Sequence, residues 1–136
     1  MSLYREQKTS INDPACLMTA LKGMGFTPHR YTTPQQLIGY QGDKRKMTAE
    51  IVIPRAQVGA ASNDIGFKRQ ADGTYMAIIS DYDQRRYNDQ WLTEVKTKAW
   101  EAKVNKLAVK ELGLKPHGPS QVLPNGKIRV QFVKQG

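Results

Sequence analysis

"NDIGFKRQADGTYMAII", residues 63–79, reads as two strand segments closed around Ala71-Asp72-Gly73. An Asp-Gly pair supplies the positive backbone angle that a tight antiparallel turn needs. The alternation predicts strands over 65–70 and 74–80, with Tyr75, Ala77 and Ile79 on one face and Met76, Ile78 and Ser80 on the other. Phe67 extends the first set, so the hairpin is expected to be core architecture. Lys68 and Arg69 stand just before the turn, where a partner could meet them.

On the N-terminal side, residues 3–9 alternate as a first strand. Asn12-Asp13-Pro14 is a helix start, a capping side chain followed by proline in the first turn. Cys16, Leu17, Ala20, Leu21 and Met24 then recur on one helical face, and Gly25 ends the run. Residues 26–40 are extended but interrupted by Pro28 and Pro34, which suits edge strands or a strand–loop–strand. Residues 42–46 read as a charged turn, and Met47 to Ile53 as a half-buried strand closed by Pro54. Val58 to Asn63, rich in glycine, alanine and serine, is expected to be the most mobile loop.

On the C-terminal side, residues 87–112 contain no glycine or proline and read as helix. Their apolar stripe changes phase. Trp91, Leu92, Val95, Ala99 and Ala102 lie together, whereas Trp100, Val104, Leu107 and Ala108 are rotated away. A straight helix hides one such set, so a bend, a break near 97–100 or burial on two sides is expected, with both tryptophans shielded. Gly113 should end the helix, and residues 121–133 should form a second hairpin turning at Asn125-Gly126. The whole order indicates one α+β domain over 1–136, an antiparallel sheet with two or three helices packed on one face.

The 136 residues, 39% hydrophobic and 24% charged, suit a globular protein able to bury a real core. A lone cysteine excludes an internal disulfide, and no apolar run reaches signal or membrane-spanning length. A cytoplasmic or plastid-stromal location without membrane contact follows as the expectation. The net charge of +9 favours nucleic acid or an acidic protein surface as partner. That charge is unevenly spread. Residues 63–90 carry about −1, while 1–62 carry about +4.

Enzyme chemistry finds little support in these residues. Cys16 falls on the apolar helix face, and His29 and His117 each stand beside a proline. No Cys/His spacing fits zinc, and neither a Walker loop nor G-x-G-x-x-G occurs. Asp81 and Asp83 could hold a hard cation or share acid–base roles, but strand termination or helix capping is the simpler role. No cofactor is implied. The basic clusters remain: Lys44, Arg45 and Lys46 in one turn, Lys68 and Arg69 in a second, Arg85 and Arg86 in a third, with Tyr82 beside them. Lys96, Lys103 and Lys110 add a ridge at seven-residue spacing. Several cations together can hold an acidic protein or a polyanion, whereas single clusters often serve only solubility.

Asp64-Ile65-Gly66-Phe67 followed by Ala71-Asp72-Gly73-Thr74-Tyr75 resembles the core motif of a domain family of unknown function, typified by the hypothetical chloroplast open reading frame thirty-five. The likeness extends to Lys8-Thr9, Leu17 through Phe26, Gly39-Tyr40, Ala49 to Ile53, Glu111-Leu112-Gly113 and Asn125 to Val130. The resemblance implies a small adaptor-like protein of plastids, cyanobacteria or other bacteria, encoded near an AAA-type ATPase and a ferredoxin, and it lends no activity. This chain departs at Ser80-Asp81-Tyr82-Asp83, where many members carry an Asp-Trp-Trp-like segment. The expected function is therefore a non-enzymatic adaptor docking an acidic protein, an AAA-type ATPase among the candidates. The alternative is a weakly specific RNA- or DNA-binding module.

Overall fold

The computed structural model describes residues 3–112, 114–116, 121–122, 128–129 and 132–134, with side-chain surroundings up to residue 110. Strand β1 (Tyr4–Lys8) is followed by helix α1 (Pro14–Gly23). The carboxylate of Asp13 accepts from the backbone N–H groups of Ala15 (3.0 Å) and Cys16 (3.2 Å), so the capping side chain and the following proline act as read from the sequence. Next come β2 (His29–Ile38), β3 (Lys44–Ile53), the single turn α2 (Arg55–Val58), β4 (Ile65–Arg69) and β5 (Tyr75–Ser80). Helix α3 (Asp89–Leu107) completes the main body, capped by the Asn88 side chain on the N–H of Trp91 at 3.0 Å.

The five strands form one antiparallel sheet in the order β1-β5-β4-β3-β2, so the α+β expectation holds. The hairpin of residues 65–80 supplies two of its strands, including the central β4. Phe67 pairs with Ala77 and Arg69 with Tyr75, and Gly73 turns at φ +86. One sheet face buries Ile51, Ile53, Ile65, Phe67, Ala77 and Ile79 against Leu17 and Leu21 of α1 and Leu92, Val95 and Ala99 of α3. Phe26, Tyr87 and Trp91 close one side of this core, Tyr87 and Trp91 edge-on with centroids 5.1 Å apart.

The opposite face is covered as well. The β2–β3 register shifts between Arg30 and Gln35, and beyond that irregularity the apolar alternation of β3 changes phase. Ala49 therefore joins Val52 and Ile78, not Ile51, and packs with Leu37, Met47 and Tyr4 in a second, smaller core. The outer half of the β2–β3 hairpin thus folds across the face that α1 and α3 leave open. Gly66 lies at its floor. A Cβ there would stand 2.8 Å from Ala49 Cβ and 2.9 Å from Leu37 Cδ2.

Three expectations need correction. Lys44, Arg45 and Lys46 are not a turn but the first residues of β3; the turn itself lies at Gly39–Asp43, where Gly39 N–H donates to Asp43 C=O at 2.8 Å. The loop after α2 is pinned, since Ser62, Asn63 and Asp64 are all buried. Helix α3 runs unbroken past 97–100 and leaves Trp100 49% exposed, because the second apolar set has no partner in the main core. The phase change is absorbed only at Ala108, which is buried as the helix widens into π geometry over Ala108–Leu112. Farther on, Gln121–Val122 (β7) pairs antiparallel with Ile128–Arg129 (β8), and Leu114–Pro116 (β6) with Phe132–Lys134 (β9). Gly113, His117 and the Asn125-Gly126 turn lie outside the described residues. Among the described residues no helix is long and apolar enough to cross a membrane.

Gly66→Ala should lower stability by about 1–3 kcal/mol through overpacking of the second core, measured by urea unfolding. A separate test concerns Asp13. Partial burial raises its carboxyl pKa, but the Lys106 ion pair and the Cys16 N–H outweigh that and hold it at about 2, below the ordinary 3.8. The folded-state pKa is lowered, so its contribution is complete above the unfolded value and disappears as pH falls through about 2. Asp13→Asn keeps the cap and should flatten the loss of stability between about pH 4 and pH 2.

Candidate functional site

The polar centre of the molecule is a corner where the loop before β4 meets the exit of β5. Asn63 is wholly buried. Its backbone N–H donates to Asp83 Oδ2 at 3.0 Å, and its amide nitrogen donates to Ser80 Oγ (3.0 Å) and Asp83 Oδ2 (3.2 Å). The Ser80 hydroxyl donates to the same carboxylate oxygen at 2.7 Å, while Asp83 N–H donates back to Ser80 Oγ at 3.1 Å. On the other side, Asn63 Oδ1 accepts from Tyr40 N–H at 3.0 Å. Asp64 accepts from Ile38 N–H (2.8 Å) and Arg55 N–H (2.7 Å), and its carbonyl accepts from the Tyr4 hydroxyl at 2.9 Å. Burial pushes the Asp64 carboxyl above its ordinary pKa, although both backbone donors and the charges of Arg55 and His29 pull it down.

Asp83 is thereby occupied structurally, and Asp81 pairs with exposed Arg5. Among the described residues no group of three or more His, Cys, Asp and Glu side chains is arranged to hold a metal. The Asn63 corner brings together the β2–β3 hairpin tip, α2 and the segment 80–87. Two of the basic clusters consequently share one end of the sheet. Lys44 and Lys46 are exposed beside the tip. Arg45 is buried, its guanidinium 5.2 Å from the Tyr4 ring centroid and 3.4 Å from Asp43 Oδ2, and so belongs to the second core instead of the surface. Lys68 and Arg69 sit at the far end of the β4–β5 hairpin, away from this corner; Arg69 N–H is held by Glu50 Oε1 at 3.0 Å.

Arg85 and Arg86 belong to the 3-10 turn Asp83–Arg85 and its exit. Their guanidinium carbons lie over the rings of Tyr82 (5.8 Å to the centroid) and Tyr87 (5.5 Å). Tyr87 is fixed by burial and by its hydroxyl, which donates to Val58 C=O at 2.8 Å; Tyr82 stays 45% exposed. Neither arginine has a carboxylate within ion-pair distance among the described residues. Between them and the Gly59–Ser62 loop opens a cleft of about 410 Å³. The loop's part in this wall escaped the sequence reading, which took its small residues as a sign of mobility. The signal was Asn63, a polar residue inside an apolar-flanked motif.

The fold and the corner define a small α+β protein with a basic, tyrosine-backed cleft at one end of its sheet. A family model described as "Protein of unknown function (DUF1257)" matches residues 20–129, and the chain belongs to that family. No curated protein and no solved structure matches it.

Asp83→Ala leaves three buried donors without their acceptor and should cost about 1–3 kcal/mol, whereas Asp81→Ala removes one exposed ion pair and should cost less than about 1 kcal/mol. Chemical denaturation of the two variants checks the contrast. A melting-temperature rise with magnesium, manganese or calcium that disappears in Asp81→Asn and Asp83→Asn would instead assign the pair to a cation.

Proposed function

We propose that this chain is a non-enzymatic interaction protein whose basic corner docks an acidic surface of a partner protein. The observation that carries this reading is the state of Arg85 and Arg86, stacked on tyrosine rings and without carboxylate partners among the described residues. Stacking restrains a guanidinium but leaves its edge N–H groups free to grip a carboxylate with two parallel hydrogen bonds. Lys44 and Lys46, exposed at the same end, add positive field around that grip. The resemblance to the plastid and cyanobacterial family makes an AAA-type ATPase one acidic partner to test, in cytoplasm or stroma. Nucleic acid is the second reading, favoured by the half-exposed Tyr82 ring beside Arg85, a pairing that can also stack a base.

A tagged pull-down from the native host, with and without nuclease, separates the two. Protein partners should survive nuclease and be lost from Arg85→Glu/Arg86→Glu, with Lys44→Glu/Lys46→Glu weakening capture further and Lys68→Glu leaving it unchanged. Nucleic acid should bind only weakly, without sequence preference, and should be largely lost near physiological salt. Tight, sequence-selective binding at that salt would favour the nucleic-acid module.

A further inference from the structure

The lysine ridge of α3 plays no part in the corner, and it frames the one large aromatic side chain of the helix that the core leaves uncovered. At 3.6 residues per turn Lys96, Trp100, Lys103 and Leu107 form one row, while Glu94 and Glu101 fall on the other side of the helix. Trp100 and Leu107 are 49% and 43% exposed. Where this row faces the start of α1 there is a cavity of about 220 Å³. Ile11, Cys16, Ala99 and Trp100 give it apolar walls, and Lys96, Lys103 and the carboxylate of Asp13 stand with them in its lining. The volume falls below the roughly 300–1,000 Å³ of small-molecule sites, so it suits one or two side chains better than a cofactor.

From this placement we infer that the α1–α3 groove is a second docking site, one that takes a short acidic segment of a partner protein carrying an apolar anchor side chain. The anchor enters the cavity and packs on the Trp100 indole, and carboxylates flanking it meet the lysines. Charge decides the partner. Asp13 already binds Lys106 (3.1 Å) and lies 3.7 Å from Lys103, but Lys96 has no carboxylate within ion-pair distance among the described residues. Lys96 therefore offers unspent positive charge at the edge of an apolar pocket, and the one carboxylate in the lining, Asp13, is already engaged by Lys106 and Lys103. A desolvated tryptophan beside a ready pocket is the usual centre of a peptide interface, with charges at the rim setting selectivity. This site is independent of the Arg85–Arg86 cleft.

Short random peptides displayed on phage and selected against the full chain supply the test. The expected outcome is enrichment of an aromatic or aliphatic residue flanked by Asp and Glu. In Trp91→Phe, where Trp100 is the single indole, such peptides should shift its emission to the blue and shield it from iodide. Trp100→Ala should weaken them at least about tenfold, as should Lys96→Glu, whereas Arg85→Ala/Arg86→Ala should leave affinity unchanged. Circular dichroism of each variant confirms that the fold persists. Absence of enrichment, enrichment without acidic residues, or binding indifferent to both Trp100→Ala and Lys96→Glu would overturn the inference. So would reversible dimerisation abolished by Trp100→Ala, which would give the groove to a second copy, or iodide shielding by single-stranded nucleic acid alone.

Discussion

Asn63 is the residue on which the arrangement of the corner depends. Its side chain and backbone N–H join three segments distant in sequence: the β2–β3 tip through Tyr40, the end of β5 through Ser80, and the following turn through Asp83. A buried amide left without partners costs about 1–3 kcal/mol per group, so each segment is held to the geometry that satisfies it. Asp64 does the same one residue later for Ile38 and Arg55. The Asp-Ile-Gly-Phe motif is thus a joint before it is a strand. Its polar residue fixes the corner, its glycine admits Ala49 and Leu37, and its isoleucine and phenylalanine enter the main core.

The joint explains why both sheet faces are covered. A five-stranded sheet with helices on one face alone would leave Val52 and Ile78 to solvent. Because Asn63 and Asp64 hold residues 38–40 at the β4 start, the outer part of the β2–β3 hairpin must return over the open face. Tyr4 seals that return. Its hydroxyl donates to Asp64 C=O, its ring packs in the second core, and burial, then the Asp64 charge, raises its pKa well above the ordinary phenolic value. Arg45 over this ring is a cation recruited into packing.

What was legible in the sequence was local. The Asp72-Gly73 turn, the Asp13-Pro14 helix start and the alternation of 65–80 are dictated by neighbours along the chain, and the structure follows them. Arg45, the Val58–Asn63 loop and Trp100 were misread because their environments come from distant segments. Nothing near Arg45 in sequence announces Tyr4. The small residues at 59–62 look flexible until Asn63 is seen to be fastened to Asp83. The phase change in α3 was read correctly, yet its expected remedy was not, since a helix can leave its second apolar set uncovered when that face lies outside the main core. Convergence of two basic clusters at one end was beyond the sequence altogether, because it follows from the returning hairpin.

Burial and ion pairing take up several carboxylates, although Glu6, Asp72, Asp89 and Glu94 stay exposed and the cation Arg45 is itself buried. Asp64 and Asp83 are inside the corner, Asp13 is tied to two lysines, and Asp81 to Arg5. Arg85, Arg86, Lys44 and Lys46 remain outward, and Lys96 faces the α1–α3 groove. An approaching partner within the screening length of about 8 Å meets the outer cations first and the enclosed carboxylates only through intervening protein. The surface at the corner is accordingly more basic than its residue composition implies. The same hydrogen bonds that fold the corner withdraw acid from its surface, so the motif that joins the strands also shapes the charge the corner presents.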